Sequence, residues 1–181
     1  MTKTTSEGQS VIVMGVSGSG KSTIAKRLAD ELGEGAIYLD ADDYHSEEHK
    51  KKMASGHSLT DEDRLPWLQK LVKVLDSHLE RDPSQTVFLA CSSLKKWYRD
   101  ILREAILQHH PVRFLYLDGS RDLLYSRLSS RQGHYFQASG LDGQLEQLEK
   151  PDPAVETDCV SISVDAPIKE IIENARKALG I

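Results

Sequence analysis

The chain has 181 residues, of which 39% are hydrophobic and 28% charged, and carries a formal net charge of -5 at pH 7. That length fits a single domain over residues 1–181, and the acidic balance argues against a general nucleic-acid or membrane-surface binder, which needs a basic field. No apolar run approaches the roughly 20 residues that span a bilayer, the opening residues are polar and carry no secretory signal, and two cysteines, Cys91 and Cys159, suit a reducing compartment. The expected location is the cytoplasm.

In chain order, a first strand is expected over Ser10–Met14, running straight into Gly15-Val16-Ser17-Gly18-Ser19-Gly20-Lys21-Ser22. This run fits the phosphate-binding pattern G-x-x-x-x-G-K-[ST]. Its glycines let successive backbone N–H groups turn toward phosphate oxygens, and a helix starting near Lys21 adds its positive dipole end. Lys21 then reaches the β- and γ-phosphates, and the Ser22 hydroxyl is a Mg²⁺ ligand. Ile24, Leu28 and Leu32 form the apolar stripe of that helix, with Gly33 placed to end it.

A second strand over Ala36–Leu39 delivers Asp40, Asp42 and Asp43 at its end. Asp40 and Asp42, two apart on extended chain, point the same way. Next, "DEDRLPWLQ" sets Arg64 among acids just before a helix with stripe Leu68, Val72, Leu75 and Leu79; Pro66 either starts or kinks that helix. A third strand over Thr86–Ala90 leads into "CSSLKKWYRD", which places Lys95, Lys96 and Arg99 on the ligand side. Ser93 is the expected N-cap of a helix with stripe Leu94, Tyr98, Ile101, Leu102 and Ala105. A fourth strand over Val112–Leu117 ends on Asp118. Arg127 and Arg131 follow at i, i+4 on one helix face. The segment 131–143 has three glycines and no steady period, so it reads either as a surface loop or as a mobile lid. A fifth strand over Val160–Val164 precedes a helix with Pro167 in its first turn and Ile168, Ile171, Ile172 and Ala175 inside. Alternating β and α predicts a parallel sheet with helices on both faces and ligands beyond the strands' carboxyl ends. The guanine-reading N-K-x-D pattern is absent, which weakens a GTPase reading.

Taken together, "GVSGSGKST", "LDADDYH", "KMASGHSLTDEDRLPWL", "CSSLKKWYRDILR" and "SRLSSRQGHYF" resemble the gluconokinases of the small shikimate-kinase-like type, over nearly the whole chain from Val11 to about Asp165. The resemblance implies an α/β P-loop fold with a five-stranded parallel sheet of order 2-3-1-4-5 and a lid over about 131–143. It also implies transfer of the ATP γ-phosphate to the C6 hydroxyl of D-gluconate, a product that feeds the pentose phosphate pathway, and a homodimer. By the same likeness, Gly15 to Thr23 hold the ATP phosphates and Asp40 joins Ser22 at Mg²⁺. Asp42 faces the acceptor hydroxyl as candidate base. Arg64 clamps the acceptor carboxylate, with Lys95 and Arg99 as further sugar-acid or phosphate contacts. Arg131 closes over the transferring phosphate and Arg127 packs on adenine, while His45 and His134 match substrate-side positions without an assigned role. Ala41 stands where the family often has glycine, and Gly143-Gln144-Leu145 where it has SQF. A kinase for shikimate or another sugar acid, and a nucleotide-binding regulatory module, are the alternatives.

Overall fold

A computed structural model describes residues 8–106, 110–130 and 138–181. Five parallel strands, β1 (Gln9–Met14), β2 (Ala36–Asp40), β3 (Thr86–Ala90), β4 (Val112–Asp118) and β5 (Cys159–Ser163), form one sheet of order β2-β3-β1-β4-β5. β1 sits at the centre, with Val11 opposite Phe88 on one side and Arg113 on the other. The helices are α1 (Lys21–Leu32), α2 (Glu47–Ala54), α3 (Asp61–Arg81), α4 (Lys96–Ile106), α5 (Arg121–Ser129), α6 (Ala138–Gln147) and α7 (Ile168–Leu179). The expected strands are all present, with ends shifted by about one residue.

Strand side chains alternate faces, and both faces are covered. Ile12 and Met14 pack with Leu68, Leu71, Leu75 and Leu79 of α3 and with Tyr98 and Leu102 of α4. Val11 and Val13 pack with Ile24, Ala25 and Leu28 of α1 and with Ile171, Ile172 and Ala175 of α7. The inner strands β1, β3 and β4 are largely buried on both faces and read as short apolar runs, whereas edge strand β5 alternates exposed Ser161 and Ser163 with buried Ile162.

Local chemistry sets the helix ends. α1 stops at Gly33, whose φ of 66° is left-handed backbone that glycine adopts without penalty. α3 opens on a capping box. Thr60 Oγ1 accepts from the Asp63 N–H and an Asp63 carboxylate oxygen accepts from the Thr60 N–H. Pro66 therefore neither starts α3 nor breaks it. It sits in the second turn of a helix that continues to Arg81, forgoing the bond to the Glu62 carbonyl.

Four readings from sequence are corrected. Ser93 does not cap α4: it has φ 46°, and the helix begins at Lys96, whose N–H goes to Glu149 Oε2 at 2.6 Å. Leu94 accordingly leaves the α4 stripe and joins a separate small core with Val16, Leu124 and Leu141. Pro167 takes the cap position rather than the first turn of α7, its carbonyl accepting from Glu170 and Ile171. Within 131–143, residues from Ala138 onward are helix α6, not loop. Leu141 is fully buried there, which outweighs the roughly 1 kcal/mol that each helical glycine costs. α2, capped by Ser46, had no counterpart in the sequence reading, because no residue in it is buried and it carries no apolar stripe.

Candidate active site

The phosphate loop joins β1 to α1. Gly18 has φ 84°, and a Cβ there would stand 3.0 Å from the Leu124 carbonyl oxygen and from Leu128 Cγ. Both conformation and space thus require glycine. Gly20, at φ 92°, fills the cap position of α1 and leaves the helix's first N–H groups open toward the pocket. Inside the loop, the Ser19 hydroxyl donates to the Val16 carbonyl at 2.7 Å, and Lys21 Nζ donates to the same carbonyl at 3.2 Å.

A pocket of about 390 Å³ opens over this loop. Its walls include Ser17, Gly18, Gly20, Lys21, Ser22 and Thr23 from the loop and α1, and Asp40, Asp42, His45, Arg64 and Trp67 from the opposite side. Ser22 Oγ donates to Asp40 Oδ2 at 2.8 Å, and Tyr38 OH donates to the same oxygen at 2.9 Å. Burial, with Asp40 adding to it, pushes the Tyr38 hydroxyl up to about 12. Asp40 Oδ1 accepts from the Asp42 N–H at 3.0 Å and so starts the 3₁₀ turn Ala41–Tyr44 that carries Asp42.

The Asp42 side chain is 87% exposed, while that of His45 beside it is 4% exposed, with Nε2 3.7 Å from Asp42 Oδ1. His45, followed by Lys21 and Arg64, holds the Asp42 carboxyl below the usual range. His45 in turn stacks on Trp67, ring centroids 4.4 Å apart and 15° from coplanar, and Trp67 Nε1 donates to the Ala41 carbonyl at 2.9 Å. This stack welds the Asp42 turn to α3. Arg64, one turn earlier on α3, brings its guanidinium 5.7 Å from the Tyr98 ring centroid, and its buried Nε has no hydrogen-bond partner among the described residues. A buried guanidinium N–H without an acceptor, at a pocket wall beside a carboxylate, suits an anionic ligand.

The pocket gathers most of the expected residues but not all. Lys95 Nζ instead bonds both oxygens of Asp61 at 2.9 Å, and Tyr98 OH bonds Asp61 at 2.5 Å. The Tyr98 hydroxyl and then Lys95 draw the Asp61 carboxyl below its usual range. Arg99 is corrected outright as a ligand contact. It is fully buried and spends all five N–H donors internally, on both oxygens of Glu156 and on the carbonyls of Ser93, Leu94 and Glu149. Arg127 donates to the Val164 carbonyl at 2.6 Å, outside this pocket. Asp118 accepts from Tyr116 and Lys150 and also lies outside it. Arg131 and His134 fall outside the described residues.

Sequence reasoning missed Trp67, Cys91 and Gln144 at the pocket. Cys91 is no nucleophile, because burial pushes its thiol up to about 11. Gln144 accepts a hydrogen bond from the Ser17 backbone N–H at 2.7 Å. The signal that pointed toward it was the Gly143-Gln144-Leu145 stretch, where the glutamine keeps its place although the aromatic is lost.

A parallel 2-3-1-4-5 sheet with a glycine-rich phosphate loop between the first strand and first helix defines a P-loop nucleotide-binding fold of the small-molecule kinase kind. Consistent with this, residues 11–151 match the family model described as an AAA domain. Across 172 residues the chain is 42% identical to the thermosensitive gluconokinase of Escherichia coli (strain K12), covering 95% of this chain and 88% of the relative. The crystal structure of a gluconokinase from Sinorhizobium meliloti 1021 is similar with a TM-score of 0.81 and 38% identity, covering 95% of this chain and 91% of that one. An unliganded sugar kinase from Janibacter sp. HTCC2649 is similar at 0.82 and 41%, covering 96% and 95%. The chain belongs to the gluconokinase family.

Proposed function

We propose that this chain phosphorylates D-gluconate with ATP, giving 6-phospho-D-gluconate and ADP. The observation that carries the reading is the joining, in one pocket, of the phosphate loop to Asp42 and to the buried Nε of Arg64, which has no hydrogen-bond partner among the described residues. Gluconate is a small anion, and an acidic protein holds it only with a local cationic clamp; the planar guanidinium of Arg64 matches its carboxylate. The C6 hydroxyl oxygen forms the new bond to the γ-phosphorus as the bond to ADP breaks, and the hydroxyl proton leaves toward Asp42. Because the transition state is loose, Asp42 acts chiefly by aiming the hydroxyl. Lys21 spreads positive charge over the transferring group. Lys95 is proposed as a further sugar-acid or phosphate contact, with its ammonium on Asp61 in this structure, and His45 supports Asp42 from behind. Arg127 is proposed at the adenine side. Arg131 and His134 are proposed on the lid side.

Magnesium fits the site. In phosphoryl-transfer sites this ion is usually held by one or two protein oxygens together with the substrate phosphates. Ser22 Oγ and Asp40 are a hard oxygen pair 2.8 Å apart, and they would hold it. When bound it neutralises charge on the β- and γ-phosphates. Among the described residues no helix is long and apolar enough to cross a membrane. We propose a cytoplasmic homodimer supplying the pentose phosphate pathway; sedimentation velocity giving a monomer at micromolar concentration would refute the dimer.

The direct test is coupled ADP release across a panel of hydroxylated carboxylates with ATP and magnesium. Gluconate should support turnover and shikimate should not. Equal turnover of both would refute the specificity. Stoichiometric nucleotide binding without transfer to any acid would favour a regulatory module instead.

A further inference from the structure

Gln144 reaches the phosphate loop from a helix 127 positions further along the chain. Its Oε1 accepts the Ser17 N–H at 2.7 Å, and packing fixes it there. Leu141, fully buried one turn earlier on α6, joins Val16 of the loop together with Leu94 and Leu124, and Leu145 packs on the same cluster. Arg121 of α5 grips Asp142 through two bonds of 2.6 and 2.9 Å, so α6 is braced on its other side too. The amide is therefore presented by a helix held from two directions.

With Oε1 committed to Ser17, the two N–H donors on Nε2 have no hydrogen-bond partner among the described residues. The side chain lines the same pocket as Lys21, Asp42 and Arg64. We propose that Gln144 is a phosphate-positioning residue: its carbonyl oxygen locks the Ser17 amide, and its amino group donates to the γ-phosphoryl oxygens of ATP as they transfer. A neutral amide suits the task. The γ-phosphoryl spreads its charge over three oxygens, and a donor fixed beforehand stabilises that charge without reorganising. ADP lacks the group contacted, so Gln144 should distinguish ATP from ADP.

The inference deepens the kinase reading, since it needs a γ-phosphoryl to act on, and it is testable apart from the acceptor. Wild type, Gln144→Met and Gln144→Glu are compared as full-length protein by thermal melting, by calorimetric titration with ATP and with ADP, and by steady-state kinetics with gluconate. Met keeps length and apolar packing but removes both bonds. Glu is isosteric and keeps the acceptor for Ser17, but replaces the donors with negative charge. Gln144→Met should lower kcat by roughly 10- to 100-fold, the worth of one hydrogen bond to a charged group. It should weaken ATP more than ADP and leave the gluconate KM within about twofold, the pattern of an interaction made to the transferring group. Gln144→Glu should bind ADP like wild type and turn over more slowly than Gln144→Met.

Turnover by both variants within about twofold of wild type would overturn the inference. So would tighter ATP binding by Gln144→Met, which would make the side chain a placeholder that phosphate displaces. Equal weakening of ATP and ADP with a lowered melting temperature in both variants would reduce Gln144 to a structural brace. Should wild type fail to phosphorylate gluconate, the substrate reading falls, while the ATP-against-ADP comparison still judges Gln144.

Discussion

Lys21 and Arg64 approach the same pocket with different kinds of charge, and their substitutions should fail differently. Lys21 is a compact ammonium at the mouth of α1, bonded to the Val16 carbonyl at 3.2 Å. Lys21→Ala should cut kcat by about 10³-fold or more, on the scale of other cationic groups in phosphoryl transfer, with the melting temperature nearly unchanged. Near-normal turnover would contradict the role given to the loop. Arg64→Lys keeps the charge but loses the planar fork, so the gluconate KM should rise well above tenfold while the ATP KM moves little. Separate saturation curves for the two substrates decide it, and an unchanged gluconate KM would remove Arg64 from the acceptor side. Both residues were legible in the sequence because their chemistry is nearly local: the loop's spacing dictates where Lys21 points, and the short DRLPW stretch carries Arg64. Gln144 and Trp67 were not, because each acquires its role from a residue far away in sequence, Ser17 for one and His45 for the other.

At the level of elements, α3 shows how a helix end is made rigid enough to hold Arg64. The turn from Asp61 to Arg64 is gripped by the capping box, by Lys52 Nζ on Asp63 at 2.6 Å, and by Lys95 and Tyr98 on Asp61. These bonds support a helix start that must also accommodate Pro66. Thr60→Ala should cost about 1 kcal/mol, as for other N-caps, read from urea midpoints. The same turn gives stability a pH dependence. Lys52, then the Thr60 backbone, hold the Asp63 carboxyl down at about 2 from an ordinary 3.8. A depressed carboxyl stabilises the fold above its unfolded value and loses that contribution as pH falls through the folded one. Asp63→Asn should therefore be less stable than wild type at pH 7, and the two urea midpoints should converge as pH is lowered from 5 toward 2; a gap independent of pH would assign the effect to packing. The sheet and the long helices could be read from apolar runs because burial on two faces leaves that trace. α2 and α6 left weaker traces. α2 has no buried stripe, and α6 owes its stability to Leu141 in a core assembled from Val16, Leu94 and Leu124. No window of sequence contains that core.

Across the whole molecule, a buried ionic cluster ties the region behind the pocket to the sheet's outer edge. Arg99 bonds both oxygens of Glu156, Arg103 bonds Glu156 and both oxygens of Asp158, and β5 begins at the next residue, Cys159. Burial alone would raise the Glu156 carboxyl; the two arginines more than offset it and hold it below the usual range. Through its remaining donors Arg99 also fixes the carbonyls of Ser93, at φ 46°, and of Leu94, which lines the pocket. A left-handed, non-glycine residue persists only where its surroundings over-determine it, and Arg99 supplies that constraint. The residue that looked like a substrate contact from its place beyond β3 thus acts on the pocket wall from behind. Removing Arg99 leaves buried Glu156 with Arg103 on one oxygen only, and breaking a buried pair typically costs about 3–5 kcal/mol. Arg99→Met should accordingly lower the melting temperature by about 10 °C or more. At a temperature where the variant remains folded, its gluconate KM should rise less than that of Arg64→Lys. Converting both partners, Arg99→Met with Glu156→Leu, should recover part of the lost stability, because the half-paired buried carboxylate goes too, while Arg103 keeps Asp100 and Asp158. An Arg99→Met protein that melts like wild type but binds gluconate tenfold more weakly would return the guanidinium to the acceptor and refute its role behind the pocket wall.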